Sequence, residues 1–110
     1  MSASLFLKVP DWTIDRDERF IEGSPGARIA LIGDGKIFEP QRANVSINEG
    51  IVLIEKELIF PTIQETVIID KAVYWIPYNG KIIKCFSKFT RSPTCLNGDT
   101  VHLPPQSFMV

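Results

Sequence analysis

The side chains best suited to catalysis or metal binding are few and widely spaced in this sequence. His102 is the single histidine, and Cys85 and Cys95 are the only two cysteines. A zinc site usually takes four cysteine or histidine ligands at recognisable spacings, which these three residues do not provide. His102 lies in the segment Thr-Val-His-Leu-Pro, which is typical of a strand, so we interpret it as a hydrogen-bonded structural histidine.

A segment near the N-terminus holds four acidic residues, Asp11, Asp15, Asp17 and Glu18. Carboxylate oxygens are the ligands that magnesium and calcium prefer. Two arginines, Arg16 and Arg19, alternate with these acids, and no glycine stands where a calcium-binding loop would need one. We therefore interpret the segment as a solvated surface and expect neither a metal nor a cofactor.

Motifs of phosphate binding and of nucleophilic catalysis are missing from the sequence. Gly33-Asp34-Gly35-Lys36 is too short for a P-loop and is typical of a turn, and no G-x-S-x-G elbow occurs. Asp99 and His102 could join a serine in space, but their spacing gives no reason to expect it. We therefore expect no enzymatic activity. A small hydrolase or metal enzyme ranks third, after the two binding functions given below.

The most distinctive chemical pattern is a hairpin between Thr66 and Thr90. Asn79-Gly80 supplies the positive φ angles of a two-residue type I′ turn, and the runs on either side are rich in β-branched and aromatic residues. This turn pairs Ile76 with Ile83, Tyr74 with Cys85 and Ala72 with Ser87, which predicts one mostly apolar face. We expect that face to belong to the core.

The opposite face of the same hairpin is predicted to be basic and aromatic. The register pairs Trp75 with Lys84, Val73 with Phe86, Lys71 with Lys88 and Ile69 with Thr90. Two lysines that face each other need an acidic neighbour, an anion or a different register. The candidate binding residues on this face are Lys71, Trp75, Lys84, Phe86 and Lys88.

Two interpretations fit this basic aromatic face. In a single-stranded nucleic-acid binder, the lysines would follow phosphates and the exposed rings would stack on bases. In the other interpretation, Trp75 and Phe86 form a second core layer with lysines at its margins. We favour the second, because the net charge is −1 and nucleic-acid binders usually carry a positive excess.

Several other segments also favour strands. Asp34-Gly35 predicts a second hairpin that pairs Ile32 with Ile37. The segment from Asn44 to Phe60 has both helical and strand periodicity, and its β-branched content leads us to choose strand. Residues 11–21 are open to a short helix or a loop. We predict an all-β fold, a small barrel or sandwich of six to seven antiparallel strands with at most one short helix near 11–21.

Length and composition suit one folded β domain over residues 1–110. The chain has 110 residues, of which 45% are hydrophobic and 23% are charged, as in ordinary globular domains. Charges at 55–57 interrupt the apolar centre, so we expect no membrane span. The first residues do not resemble a secretory signal, and we therefore expect a cytoplasmic location with Cys85 and Cys95 as free thiols.

The net charge conceals a strong asymmetry along the chain. Residues 1–65 hold seven basic and eleven acidic residues, and residues 66–110 hold five and two, so the two parts carry −4 and +3. Opposite poles on one small body can pair between copies or present one pole to a partner. We therefore expect a non-enzymatic protein-interaction or assembly module, either a structural component or an inhibitor, that self-associates or binds another protein. The alternative is a nucleic-acid-binding small barrel.

Overall fold

The computed structural model describes residues 4–6, 14–18, 26–78, 80–89 and 94–109. These residues form thirteen strands and no helix, which confirms the predicted all-β fold. The strands, in chain order, are β1 (Ser4–Phe6), β2 (Ile14–Glu18), β3 (Ala27–Gly33), β4 (Lys36–Ile37), β5 (Gln41–Ala43), β6 (Val45–Asn48), β7 (Ile51–Ile54), β8 (Leu58–Ile59), β9 (Val67–Tyr78), β10 (Lys81–Lys88), β11 (Thr94–Cys95), β12 (Thr100–Leu103) and β13 (Gln106–Met109).

The strands are shorter and more numerous than the six to seven expected. The segment from Asn44 to Phe60 is β-structure, as chosen, but it forms three strands rather than one. Glu49 and Gly50 have φ angles of 51° and 77°, so they form a tight turn in which β6 folds back on β7. Glu-Gly is not among the dipeptides preferred at such turns, which explains why the sequence did not reveal it.

The segment at 11–21 does not contain a helix in its described part. Residues 14–18 form β2, which pairs antiparallel with β10 at the edge of the largest sheet. A helix this short gains few internal hydrogen bonds, whereas the edge of β10 offers backbone partners to residues 14–18. The remaining residues of this segment, which the sequence left open to a short helix or a loop, are 11–13 and 19–21 and lie outside the described residues.

Three sheets build the fold. The largest has the order β2-β10-β9-β3-β4, with β5 also beside β3 and β11 beside β9, and two three-stranded sheets have the orders β1-β12-β8 and β13-β7-β6. Among the described strand pairs, β1 with β12 is parallel and the others are antiparallel. All three sheets contribute to one main core, for example through Tyr74, Ile54 and Leu103, each fully buried.

The register predicted for the long hairpin is confirmed over most of its length. Ile76 pairs with Ile83, Tyr74 with Cys85 and Ala72 with Ser87, and these residues are buried toward the core. Gly80 has the expected positive φ angle of 73°, while Asn79 lies outside the described residues. The second predicted hairpin is confirmed as well, because Asp34 and Gly35 both have positive φ angles and Ile32 pairs with Ile37.

One assignment in the long hairpin is wrong. Ile69 was expected on the basic aromatic face, but it is fully buried in the main core together with Ala72 and Tyr74. A register shift between β3 and β9 places Ile32 opposite Lys71 but Gly33 opposite Ile69, so strict alternation is broken at Asp70. Such a β-bulge moves the residues before it to the other face of the sheet. Thr90, the predicted partner of Ile69, lies outside the described residues.

Both cysteines are free and buried, which confirms the predicted free thiols. Burial raises the pKa of the Cys95 thiol, and the nearby Asp99 carboxylate raises it further. A raised pKa keeps the protonated, unreactive form of a thiol. In the part of the chain that the structure describes, no helix is long and apolar enough to cross a membrane.

A buried hydrogen bond joins the two strands of the long hairpin inside the core. The Tyr74 hydroxyl lies 2.7 Å from Ser87 Oγ, and both residues are fully buried. We expect Tyr74→Phe and Ser87→Ala each to lower the free energy of unfolding by about 1–2 kcal/mol. Urea denaturation of both variants and of the double variant should give a double-variant loss smaller than the sum. Additive losses would contradict a direct coupling.

Burial of the same tyrosine should also make the stability of the protein depend on alkaline pH. Burial raises the pKa of the Tyr74 phenol, although the Ser87 hydrogen bond partly opposes the rise. The folded state therefore disfavours the ionised phenolate. The stability that the neutral Tyr74 phenol contributes is fully present below pH 10.0, the ordinary pKa of tyrosine. Stability should fall as the pH rises above that value, and Tyr74→Phe should reduce the slope.

Candidate functional site

All five residues of the predicted binding face lie on one side of the largest sheet. β9 supplies Lys71 and Trp75, and β10 supplies Lys84, Phe86 and Lys88, with the pairs that the turn predicted. β3 extends this surface on the far side of β9. We call it the outer face, and its residues are Arg28, Ala30, Ile32, Lys71, Val73, Trp75, Lys84, Phe86 and Lys88.

A small apolar cluster lies at the centre of the outer face. Ala30 and Val73 are fully buried and Ile32 is 5% exposed, although all three point away from the main core. Trp75 and Phe86 pack on this cluster and are themselves half-buried. These five residues come from β3, β9 and β10, so among the described residues the two rings pack on the cluster from the same sheet, and part of each aromatic residue stays accessible.

The lysines lie close to one of these rings. Lys84 Nζ is 5.3 Å from the centre of the Phe86 ring, and Lys71 Nζ is 5.8 Å from it. The negative face of an aromatic ring attracts a cation at such distances. This contact helps to accommodate Lys71 opposite Lys88, because the half-buried Lys71 ammonium has the ring as a partner while Lys88 is exposed.

The acidic segment lies beside the basic strand. In the register of β2 with β10, Asp17 is opposite Lys84 and Asp15 is opposite Phe86. Acids of the first part of the sequence and lysines of the second part therefore lie on neighbouring strands, so net charge alone does not identify a partner of the outer face.

His102 is held in a separate place, on β12. Its Nδ1 atom is 2.8 Å from Glu57 Oε1, and its ring stacks on Phe6 with centroids 4.6 Å apart. These contacts agree with the interpretation of His102 as a structural histidine. Phe6 and Ile59 flank it in the register and are 63% and 54% exposed, so they form a second apolar patch.

The residues considered for catalysis have other partners. The Asp99 carboxylate accepts a hydrogen bond of 2.8 Å from the Leu96 backbone amide and is buried in the turn before β12. His102 instead contacts Glu57. In the described part of the chain, no group of three or more histidine, cysteine or acidic side chains is arranged to hold a metal ion.

Sequence reasoning missed a groove on the rim of the main core. It has a volume of about 310 Å³ and lies between the β3–β4 hairpin and residues 60–65. An ion pair of 2.9 Å between Lys36 Nζ and Glu65 Oε1 crosses it. The two segments are 29 residues apart in the chain, and no periodicity or turn signal brings such distant residues together.

The chain was compared with protein-family models, with curated proteins and with solved structures, and none of them matches it.

Proposed function

We propose that this protein is a non-enzymatic protein-interaction or assembly module that binds through its outer face. The observation that carries the proposal is the pair of half-buried rings, Trp75 and Phe86, above an apolar cluster whose described members all belong to the same sheet. Protein interfaces combine an apolar, aromatic centre with a polar rim. Here Lys71, Lys84, Lys88 and Arg28 form such a rim.

The chemistry of the rim suggests the kind of protein that would bind. Aromatic side chains surrounded by lysines suit a partner surface that offers apolar groups with carboxylates around them. A second copy could supply acids from its own −4 part, although β2 already places acids beside β10. Binding would therefore draw most of its energy from Trp75 and Phe86, while the lysines would set orientation and rate.

A nucleic-acid-binding barrel is the second candidate, and the same outer face supports it. Trp75 is a half-buried ring between Lys84 and Arg28 in the register, which suits stacking on a base with phosphates nearby. The Phe86 ring favours the protein candidate, because Lys71 and Lys84 already lie over it and a stacked base would have to displace them.

We also propose a cytoplasmic location for this interaction module, because two free thiols suit a reducing compartment.

Light scattering coupled to size-exclusion chromatography tests assembly, and lysine acetylation read by mass spectrometry locates the surface. At high protein concentration we expect a measured mass above that of the monomer. We also expect less acetylation of Lys71 and Lys88, because the assembly would cover them. The variant Lys88→Glu should shift the mass toward the monomer, because it reverses a charge on the rim. Lys56→Glu is the matched control, since Lys56 is also exposed but lies between β7 and β8.

Two results would decide against this proposal. A strict monomer at high concentration that also captures no partner in a pull-down would contradict an interaction module. A salt-sensitive mobility shift of a labelled single-stranded oligonucleotide would favour the second candidate, provided that Lys84→Glu and Lys88→Glu abolish it and Lys56→Glu does not.

A further inference from the structure

The groove between the β3–β4 hairpin and residues 60–65 has an apolar floor and a charged rim. Leu31, Phe60 and Ile63 belong to the main core, yet each also lines the groove. Phe38 is half-buried and forms part of the wall. The groove has a volume of about 310 Å³, which is at the lower end of the range for small-molecule sites.

The chain's own Lys36 shows which chemistry this groove accepts. Its ammonium group is 2.9 Å from Glu65 Oε1 and 5.0 Å from the centre of the Phe38 ring. A carboxylate and an aromatic face together are the usual surroundings of a bound ammonium ion. The site therefore already holds a cation, which a side chain of the same hairpin supplies.

This internal ion pair is exposed and should be easy to displace. The Lys36 side chain is 60% exposed and that of Glu65 is 47% exposed. Exposed ion pairs contribute little to stability, because water screens the charges and the long side chains lose freedom. A competing cation would thus lose little by taking the place of Lys36.

The charge of the rim selects between cationic and anionic ligands. Among the described residues that line the groove, Glu39 and Glu65 are acidic and Lys36 alone is basic. A ligand with a carboxylate could bind Lys36 only next to two carboxylates and only by breaking the pair with Glu65. A ligand with an ammonium group would instead meet Glu65, Glu39 and the Phe38 ring.

We propose that this groove binds a small amphipathic amine, a primary ammonium group on an apolar chain. The ammonium group takes the place of Lys36 between Glu65 and Phe38, and the apolar chain lies along Phe60 and Ile63. Lys36 acts as an internal competitor that lowers the affinity. This site uses residues other than those of the outer face, so it is independent of the proposed function.

Titration of the full chain with octylammonium, followed by amide NMR spectra, tests the proposal. We expect saturable shifts at Phe38, Phe60 and Ile63, below the concentration at which the probe forms micelles. Octanoate, which has the same chain length and the opposite charge, should bind at least about tenfold more weakly, which corresponds to roughly 1.4 kcal/mol.

Variants of Lys36 test whether this residue competes with the ligand or only stabilises the structure. Lys36→Gln should tighten octylammonium binding by about two- to fivefold, the range expected from losing an exposed ion pair. Lys36→Arg keeps a cation and should stay within about twofold of the unmodified protein, as should the distant control Lys56→Gln. Glu65→Gln should weaken binding, because it removes the carboxylate that receives the ammonium group.

The proposal is wrong if octanoate binds as tightly as octylammonium, or if the shifts do not map to the groove. It is equally wrong if Lys36→Gln leaves the affinity unchanged or lowers it while its amide spectrum stays that of a folded protein. Saturable shifts at Trp75 and Phe86 instead of the groove residues would assign the amine to the outer face.

Discussion

Replacing Gly33 by alanine should lower the free energy of unfolding by about 2–3 kcal/mol, a large effect for one added methyl group. A Cβ atom at Gly33 would lie 2.6 Å from the Ile68 carbonyl oxygen and 2.7 Å from Val67 Cγ2. The first of these is a backbone atom in a paired strand, so it cannot move without disturbing the sheet. Equilibrium urea unfolding of the full chain measures the loss.

A control in the same hairpin separates crowding from backbone strain. Gly35 has a positive φ angle of 74° and an added Cβ would meet nothing within 4 Å. Gly35→Ala therefore costs only the strain of a left-handed residue, about 1 kcal/mol. A loss at Gly33 no larger than the loss at Gly35 would contradict the close approach of β3 to Ile68.

The parts of the fold that the sequence predicted are those set by local rules. Asn79-Gly80 and Asp34-Gly35 each fix a turn type, and a turn type fixes the register of the strands on both sides. The five site residues fell on one face because a strand alternates its side chains with a period of two. These rules need only neighbouring residues, so one sequence is enough to apply them.

The parts that were missed depend on distant contacts. The sequence did not indicate that the segment with Asp15 and Asp17 pairs with β10, which lies some seventy residues further along the chain. The apolar cluster under Trp75 and Phe86 requires β3, whose position beside β9 no local pattern indicates. The groove between the β3–β4 hairpin and residues 60–65 also joins segments that are far apart in the chain. Period and turn chemistry carry no information about which strands become neighbours when no short turn joins them.

The bulge at Asp70 limits even the local rule, because an inserted residue reverses the alternation before it. With unbroken alternation from Lys71, Ile69 would be on the outer face and Ile68 in the core. In the structure Ile69 is fully buried and Ile68 is 48% exposed. Alternation with and without the bulge therefore makes opposite predictions of which of these two adjacent isoleucines is buried.

Ile69→Ala should lower the free energy of unfolding by about 2–5 kcal/mol, because it removes three carbon atoms from the main core and leaves a cavity. Ile68→Ala removes the same atoms from an exposed position and should cost less than about 1 kcal/mol. Urea unfolding of the two variants under identical conditions gives the comparison. A larger loss for Ile68→Ala than for Ile69→Ala would mean that the alternation is unbroken at Asp70 and that Ile69 lies on the outer face. A larger loss for Ile69→Ala would mean that the outer face ends at Lys71, so that its apolar centre consists of Trp75, Phe86 and the small cluster beneath them.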